Sequence, residues 1–293
     1  MREAAEAHAS TGDLAVDVRG LRKRYDTVTA VQDLDLRIGR GEVFGILGPN
    51  GAGKSTTVEI LQGHRGRDGG EVTVLGADPA TGSRRWRSRI GIVWQDESAP
   101  AELTVRETVR HFATYYPAPR DPDEVIQLVG LGEKATSRVK GLSGGQRRRL
   151  DVALGVIGGP ELLLLDEPTT GFDPAARRQF WELIRALADE GTTIVLTTHY
   201  LDEAEALADR LAVIATGRVV AEGTPSGLRA EYDAAATVAW TERDGSPRTE
   251  RTTTPTRTVA ELTRRFDGEI PGLLISRPTL EDVYLRLIGQ EAV

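Results

Sequence analysis

Between residues 14 and 47 polar and apolar side chains alternate, as in LAVDVRG and AVQDLDLRIG, and GRGE then turns into the apolar VFGILG (43–48). A period of two predicts antiparallel strands, and the continuous run that follows predicts a buried one. A helix is expected near 54–63 and another buried strand at RIGIVWQ (89–95). Helical periodicity then takes over in LTVRETVRHFATYY (103–116), DPDEVIQLVG (121–130) and the segment after Gly144. ELLLLDE (161–167) does not alternate, as expected of a central parallel strand covered on both faces. PAARRQFWELIRALADEG (174–191) reads as an amphipathic helix closing on glycine, TTIVLTTH (192–199) as a strand and LDEAEALAD as a helix. RLAVIATGRVVAEG (210–223) reads as a hairpin turning at Thr216-Gly217.

Composition shifts near residue 224. PRTERTTTPTRT (247–258) is polar and reads as a loop, while TVAELTRRF, GLLISRP and TLEDVYLRLIG suggest a small α+β domain over 224–293. Residues 1–13 read as a flexible tail, and no internal repeat is visible. The hydrophobic fraction of 39% with 28% charged residues suits a globular chain with a substantial core. No apolar run approaches the roughly 18 residues that cross a bilayer, and MREAAEAHASTG lacks the apolar centre of a secretory signal. Without cysteine there is no disulfide or thiolate metal site, and a cytoplasmic protein is the expectation. A net charge of −7 argues against nucleic acid as a partner. There are 33 arginines and only four lysines (Lys23, Lys54, Lys134, Lys140), so a lysine at a basic position is itself a signal.

Lys54 stands in GPNGAGKST (48–56), which fits G-x-x-x-x-G-K-[ST] after a strand and at the opening of a helix. Gly48, Asn50, Gly51, Gly53 and Thr56 belong to a loop whose backbone N–H groups can wrap phosphates. Lys54 would reach the β- and γ-phosphates, and the Ser55 hydroxyl would ligate Mg²⁺. A glycine turn with a stray lysine is the plainer reading, and average residue frequencies produce the pattern in roughly one chain in a hundred. Asp166 and Glu167 end the four-leucine strand, where ligands of open α/β sheets sit. Either could cap a following turn; beside a phosphate loop, Asp166 suits a metal and Glu167 suits polarising a water. His199 ends TTIVLTT in the same sheet, near the position of a γ-phosphate. LSGGQRRRL (142–150) is a second glycine turn opening a helix, and so a second place for an anion.

Gly48–Thr56, Gln95 in VWQD, Leu142–Gln146, LLLLDEPTTGFD (162–173) and His199 stand in the order of an ABC-transporter ATP-binding subunit, which residues 14–223 resemble over five separated motifs. The resemblance implies an α/β P-loop cassette: a mostly parallel sheet core, an antiparallel β subdomain, and a helical subdomain at about 96–157. It implies ATP and Mg²⁺ as cofactors, with Ser55, Gln95 and Asp166 toward the metal and Tyr25 stacked on adenine. It makes Glu167 the catalytic base, with His199 on the γ-phosphate and Gln95 linking metal and water to the helical subdomain. Ser143, Gly144, Gly145 and Gln146 would close over the ATP of a second copy, and Asp173 would touch that copy. Twofold symmetry lets one surface supply both halves of each site. TGFD (170–173), ending in Asp173, stands where the commonest family version has SALD, which rearranges small and bulky residues there.

PTLEDVYLRLIG (278–289) resembles the end of ATP-binding subunits of drug-resistance exporters of the daunorubicin type; a bare amphipathic helix is the other reading. The implied protein is a peripheral subunit on the cytoplasmic side of the membrane, driving a separately encoded permease. A soluble ATPase of the same family acting on ribosomes or DNA is the competing reading. One phosphate loop, and only 47 residues between Gln95 and Ser143, disfavour it. RRWRSR (84–89) reads as a solvated strand edge, or as a dock for an acidic loop or an anionic membrane. Arg147–Arg149 read as a solvated or partner-facing side. His111, Phe112, Tyr115 and Tyr116 suit either packing within the helical subdomain or a groove for a permease helix.

Overall fold

The computed structural model describes residues 14–94, 102–232 and 235–290, and the chain divides between Glu222 and Gly223 into two compact units. The first unit begins with β1 (Leu14–Tyr25), β2 (Val28–Gly39), β3 (Val43–Leu47), α1 (Lys54–Leu61) and β4 (Gly69–Val74). Then come α2 (Arg84–Arg87), β5 (Ile90–Val93), α3 (Val105–Ala113), α4 (Pro122–Leu128) and α5 (Gly144–Val156). It ends with β6 (Leu162–Asp166), α6 (Pro174–Asp189), β7 (Thr193–Thr198), α7 (Leu201–Leu207), β8 (Arg210–Ala215) and β9 (Arg218–Gly223).

Two sheets organise these elements. β2, β1 and β4 form an antiparallel sheet in that order. The second sheet runs β5-β6-β7-β3-β8-β9, with parallel pairing from β5 through to β8. The four leucines of β6 are fully buried because they divide between two cores. Leu162 and Leu164 face Val16, Leu36 and Val58, from the antiparallel sheet and α1. Leu163 and Leu165 face Val109, Leu150 and Phe180, from α3, α5 and α6. With apolar layers on both faces, no polar residue is tolerated along the strand, and the hydrophobic run follows. Truncating one of these leucines to Ala would cost about 2–5 kcal/mol.

The helices around the second core start on matched caps. Thr104 with Glu107 and Ser143 with Gln146 form reciprocal capping boxes for α3 and α5. Asp121 and Asp173, each followed by proline, cap α4 and α6.

The structure corrects one of the sequence expectations in this unit. RRWR is the short helix α2, capped by Ser83, and no strand edge. Trp86 is 4% exposed and its indole donates to the Val74 carbonyl at 2.8 Å. The arginine-rich spelling hid a helix anchored by one aromatic. β4, in GGEVTV, was also unforeseen because two glycines blur its alternation.

The second unit comprises α8 (Pro225–Tyr232), β10 (Ala236–Thr241), β11 (Pro247–Thr252), α9 (Pro255–Phe266), β12 (Leu274–Ser276) and α10 (Leu280–Gln290). Its antiparallel sheet has the order β11-β10-β12, over a core of Val238, Trp240, Leu262 and Ile270. PRTERT is therefore an edge strand and not a loop. Almost all its side chains are exposed, so hydrophobic pattern carries no signal there.

Glu161, just before β6, accepts from Arg89 just before β5 and from Arg40 before β3. These bonds, Arg89 foremost, hold its carboxyl at about 2 against an ordinary 4.5. A lowered folded value means the contribution is complete above about 4.5 and is lost as pH falls toward 2. Since the side chain is 42% exposed, the pair is worth at most about 1 kcal/mol. Glu161→Gln should lower thermal stability at pH 7, and the difference from the parent should vanish between pH 4.5 and 2. Unfolding midpoints across that range check it.

Candidate active site

β7 lies between β3 and β6 in the sheet, with Leu47 beside Thr198 and Asp166 beside Thr197. All three strands run the same way, so their carboxyl ends finish side by side. The loop after β3, the Asp166-Glu167 pair after β6 and His199 after β7 therefore meet at one edge, where open α/β sheets bind ligands.

Gly53 ends the loop and caps α1 with φ +101°; a Cβ there would sit 2.3 Å from the Ala30 carbonyl oxygen, so only glycine fits. Among the described residues no side chain caps α1, and its first turn holds no acid, so its leading N–H groups are open to an anion. Lys54 is buried, and its ammonium donates to the Gly48 and Pro49 carbonyls at 2.7 and 3.1 Å. Burial lowers its pKa, against which Glu167 and then Asp166 raise it. Those charges bring Lys54 and the two acids into one electrostatic neighbourhood. Gly48 is buried, Asn50, Gly51 and Ser55 are exposed, and Thr56 is half-buried.

Thr197 joins the acids to the neighbouring strand. Its hydroxyl donates to the Asp166 carboxylate, and it accepts the Glu167 N–H at 3.1 Å. Glu167 is held at φ +43°, a region that strains any residue with a Cβ. Its Oε2 lies 3.4 Å from His199 Nδ1 and 3.4 Å from the Thr170 hydroxyl. A strained carboxylate fixed beside an exposed imidazole is suited to handling a proton at a water.

The other anticipated residues have local partners of their own where the structure describes them. Ser143 and Gln146 bond each other at the start of α5, and the nearest contact to a Cβ added at Gly145 would be Ala176 at 3.8 Å. Asp173 accepts from the Ala175 and Ala176 N–H groups, both at 2.9 Å, so its carboxylate works as a helix cap. Tyr25 is half-buried, with the Arg65 guanidinium 5.1 Å and the Lys23 ammonium 5.5 Å from its ring centroid. Gln95 lies outside the described residues.

Residues 31–170 match the protein family described as ABC transporter. A Nod factor export ATP-binding protein of Rhizobium johnstonii is 40% identical, aligned over 96% of this chain and 97% of its own. The daunorubicin/doxorubicin resistance ATP-binding protein of Streptomyces peucetius is 39% identical over 95% and 93%. The chain belongs to the ABC transporter family. A dimeric post-hydrolysis ATP-binding cassette with bound ADP and Pi superposes with a TM-score of 0.65 at 25% identity, covering 71% of this chain and 98% of that one. The protein is thus an ABC ATPase that binds and hydrolyses ATP.

Reading the family motifs alone misses two residues of this ABC site. Thr197 sits inside an apolar strand, and only the β6–β7 pairing shows what its hydroxyl does. Arg148, expected on a solvated or partner-facing side, is 8% exposed and donates to three backbone carbonyls. Helical spacing held a signal: Arg148 shares the buried face of α5 with Val152 and Leu150 with Leu154. Arg149 does stay near the surface, reaching Gln179 on α6.

The strain at Glu167 predicts an inverted substitution pattern. Glycine normally destabilises relative to alanine, but at φ +43° Glu167→Gly should be more stable than Glu167→Ala by about 1 kcal/mol. Denaturant midpoints of the two variants check this, and an ordinary ranking would show that the turn relaxes without cost.

Proposed function

We propose that this ATPase powers an exporter as a pair of identical copies sandwiching two ATP molecules, on the cytoplasmic side of a membrane holding a separately encoded permease. The observation that carries the pairing is the start of α5. Ser143 Oγ takes the Gln146 N–H and Gln146 Oε1 takes the Ser143 N–H, so the donors left for a ligand belong to Gly144 and Gly145. Neither glycine has a positive φ, and a Cβ at 144 would meet nothing within 4 Å. Nothing among the described residues calls for glycine there, and glycine in a helix costs up to about 1 kcal/mol relative to alanine. A ligand that must approach the bare backbone explains both. In this reading Ser143–Gln146 of one copy close over the phosphates held by Gly48–Thr56 of the other, with Asp173 near the contact.

Within one copy, Lys54 exchanges the loop carbonyls for the β- and γ-phosphates. Glu167 accepts the proton of the attacking water, and His199, beside Glu167, contacts the γ-phosphate. The exposed Ser55 hydroxyl and the Asp166 carboxylate are hard oxygen donors of the kind Mg²⁺ takes, with Gln95 as a third. Few protein ligands suffice, because phosphates and water fill most Mg²⁺ positions; when bound, the ion offsets phosphate charge. Tyr25 stacks on adenine.

Among the described residues no helix is long and apolar enough to cross a membrane, which suits a subunit that borrows its channel. A groove lined by Arg87, Trp94, Phe112, Tyr116, Asp151 and Leu154 could receive a permease helix. His111 and Tyr115 instead bond each other at 3.0 Å on the outer side of α3. Relatives named for export and for drug resistance align through the C-terminal unit as well as the cassette, which favours an exporter of a drug-like or lipophilic compound over a ribosome or DNA ATPase.

Lys54→Ala should lose nucleotide binding, whereas Glu167→Gln should bind ATP normally and lose turnover, since only the first residue acts on ground-state charge. Full ATPase activity in Glu167→Gln would remove it from the base role. Tyr25→Phe should bind ATP like the parent, and Tyr25→Ala should lose about 1–3 kcal/mol. Equal affinities for the two variants, measured by titration, would refute adenine stacking.

A further inference from the structure

Arg148 lies five residues beyond Ser143 on α5, about 7 Å along the helix axis, and is buried. Its guanidinium donates Nε–H to the Pro168 carbonyl at 3.0 Å, an N–H to the Asp166 carbonyl at 2.8 Å, and another to the Trp94 carbonyl. The placement of those carbonyls is specific. Asp166 and Pro168 bracket the strained Glu167, and the Trp94 carbonyl belongs to the peptide bond that leads into Gln95. One side chain therefore spans the helix that begins with Ser143–Gly145, the turn that carries Glu167, and the end of β5.

Burying a guanidinium is costly unless its donors and charge are matched. Here three carbonyls each take an N–H, and although burial lowers the pKa of the guanidinium, the negative charge of Asp151, Asp166 and Glu203 offsets part of that cost. The planar fork suits three acceptors fixed in different directions, which a lysine ammonium on a flexible stem cannot reproduce. α5 has a second fixed point farther along. A Cβ at Gly91 on β5 would lie 2.2 Å from the Gly155 carbonyl oxygen, so strand and helix are in direct backbone approach. With its far end set on β5, the leading end of α5 takes its direction from what Arg148 holds.

We propose that Arg148 is a positioning residue that locks the leading end of α5 to the Glu167 turn and to the strand end before Gln95. Through it, the state of a copy's own nucleotide site sets how that copy presents Ser143–Gly145 to the ATP on its partner. This rests on the paired-copy reading above. A merely structural role would lower stability alone; coupling between sites changes how tightly copies associate at unchanged ATP affinity.

The test uses the full chain with Arg148→Lys and Arg148→Gln, each alone and combined with Glu167→Gln. Four quantities are measured: the unfolding midpoint, affinity of the single copy for a fluorescent ATP analogue, the ATP-dependent dimer constant by sedimentation, and kcat with KM. Expected are single-copy ATP affinity close to the parent's, dimerisation weakened roughly 5–150-fold in the Glu167→Gln background, and lower kcat with little change in KM. Lys should fail to rescue. If Arg148→Gln does not fold, Arg148→Lys, which keeps the buried charge, decides. Parental dimerisation and kcat in Arg148→Lys would overturn the proposal, as would ATP affinity falling in step with dimerisation. Failure of Glu167→Gln itself to dimerise with ATP would instead overturn the paired-copy reading, and the two failures are told apart by that control.

Discussion

The insertion of β7 between β3 and β6 is the constraint from which the site's geometry follows. Parallel pairing on both sides brings the phosphate loop, the Asp166-Glu167 turn and His199 to one edge, although more than a hundred residues separate the first from the others. The same pairing puts Thr197 where its hydroxyl serves both acids at once. Because apolar layers cover both faces of the sheet, the carboxyl edge is where polar chemistry can gather without penalty.

Much of this was legible in the sequence, for physical reasons that differ between elements. The four-leucine run announces a two-faced strand because burial on both sides forbids polar residues, and the loop needs glycine at 48 and 53 because backbone carbonyls come too close for a Cβ, and at 51 because its φ is +80°. Strand order was not legible, since periodicity says that a segment is a strand and nothing about its neighbours. Arg148 and α2 misled for a shared reason: arginine is the commonest basic residue of this chain, and its spelling looks solvated whether or not the guanidinium finds buried carbonyls. β11 was misread because an edge strand with exposed side chains on both faces has no pattern to read.

The site also distributes its polar groups unevenly between stability and function. Asp173 and Ser143 use their side chains to cap α6 and α5, whereas among the described residues a Cβ at Gly144 would touch nothing within 4 Å and one at Gly145 only Ala176 at 3.8 Å. Lys54 is held by loop carbonyls that a phosphate would replace, and Glu167 is held in a strained conformation by bonds from β7. These features are what the proposed pairing needs of each copy, one half of a site at the sheet edge and the other at the head of α5.

The central claim, that one copy's phosphate loop is completed by another copy's Ser143–Gly145, is tested most directly by mixing two inactive variants. Glu167→Gln keeps an intact head of α5 but lacks the base; Ser143→Arg keeps the base and phosphate loop but blocks that head. A mixed pair contains one complete site, built from the phosphate loop of the second variant and the α5 head of the first. The account predicts ATPase activity in the mixture that neither variant shows alone. A mixture as inactive as its components, with both still folded and binding ATP, would contradict it.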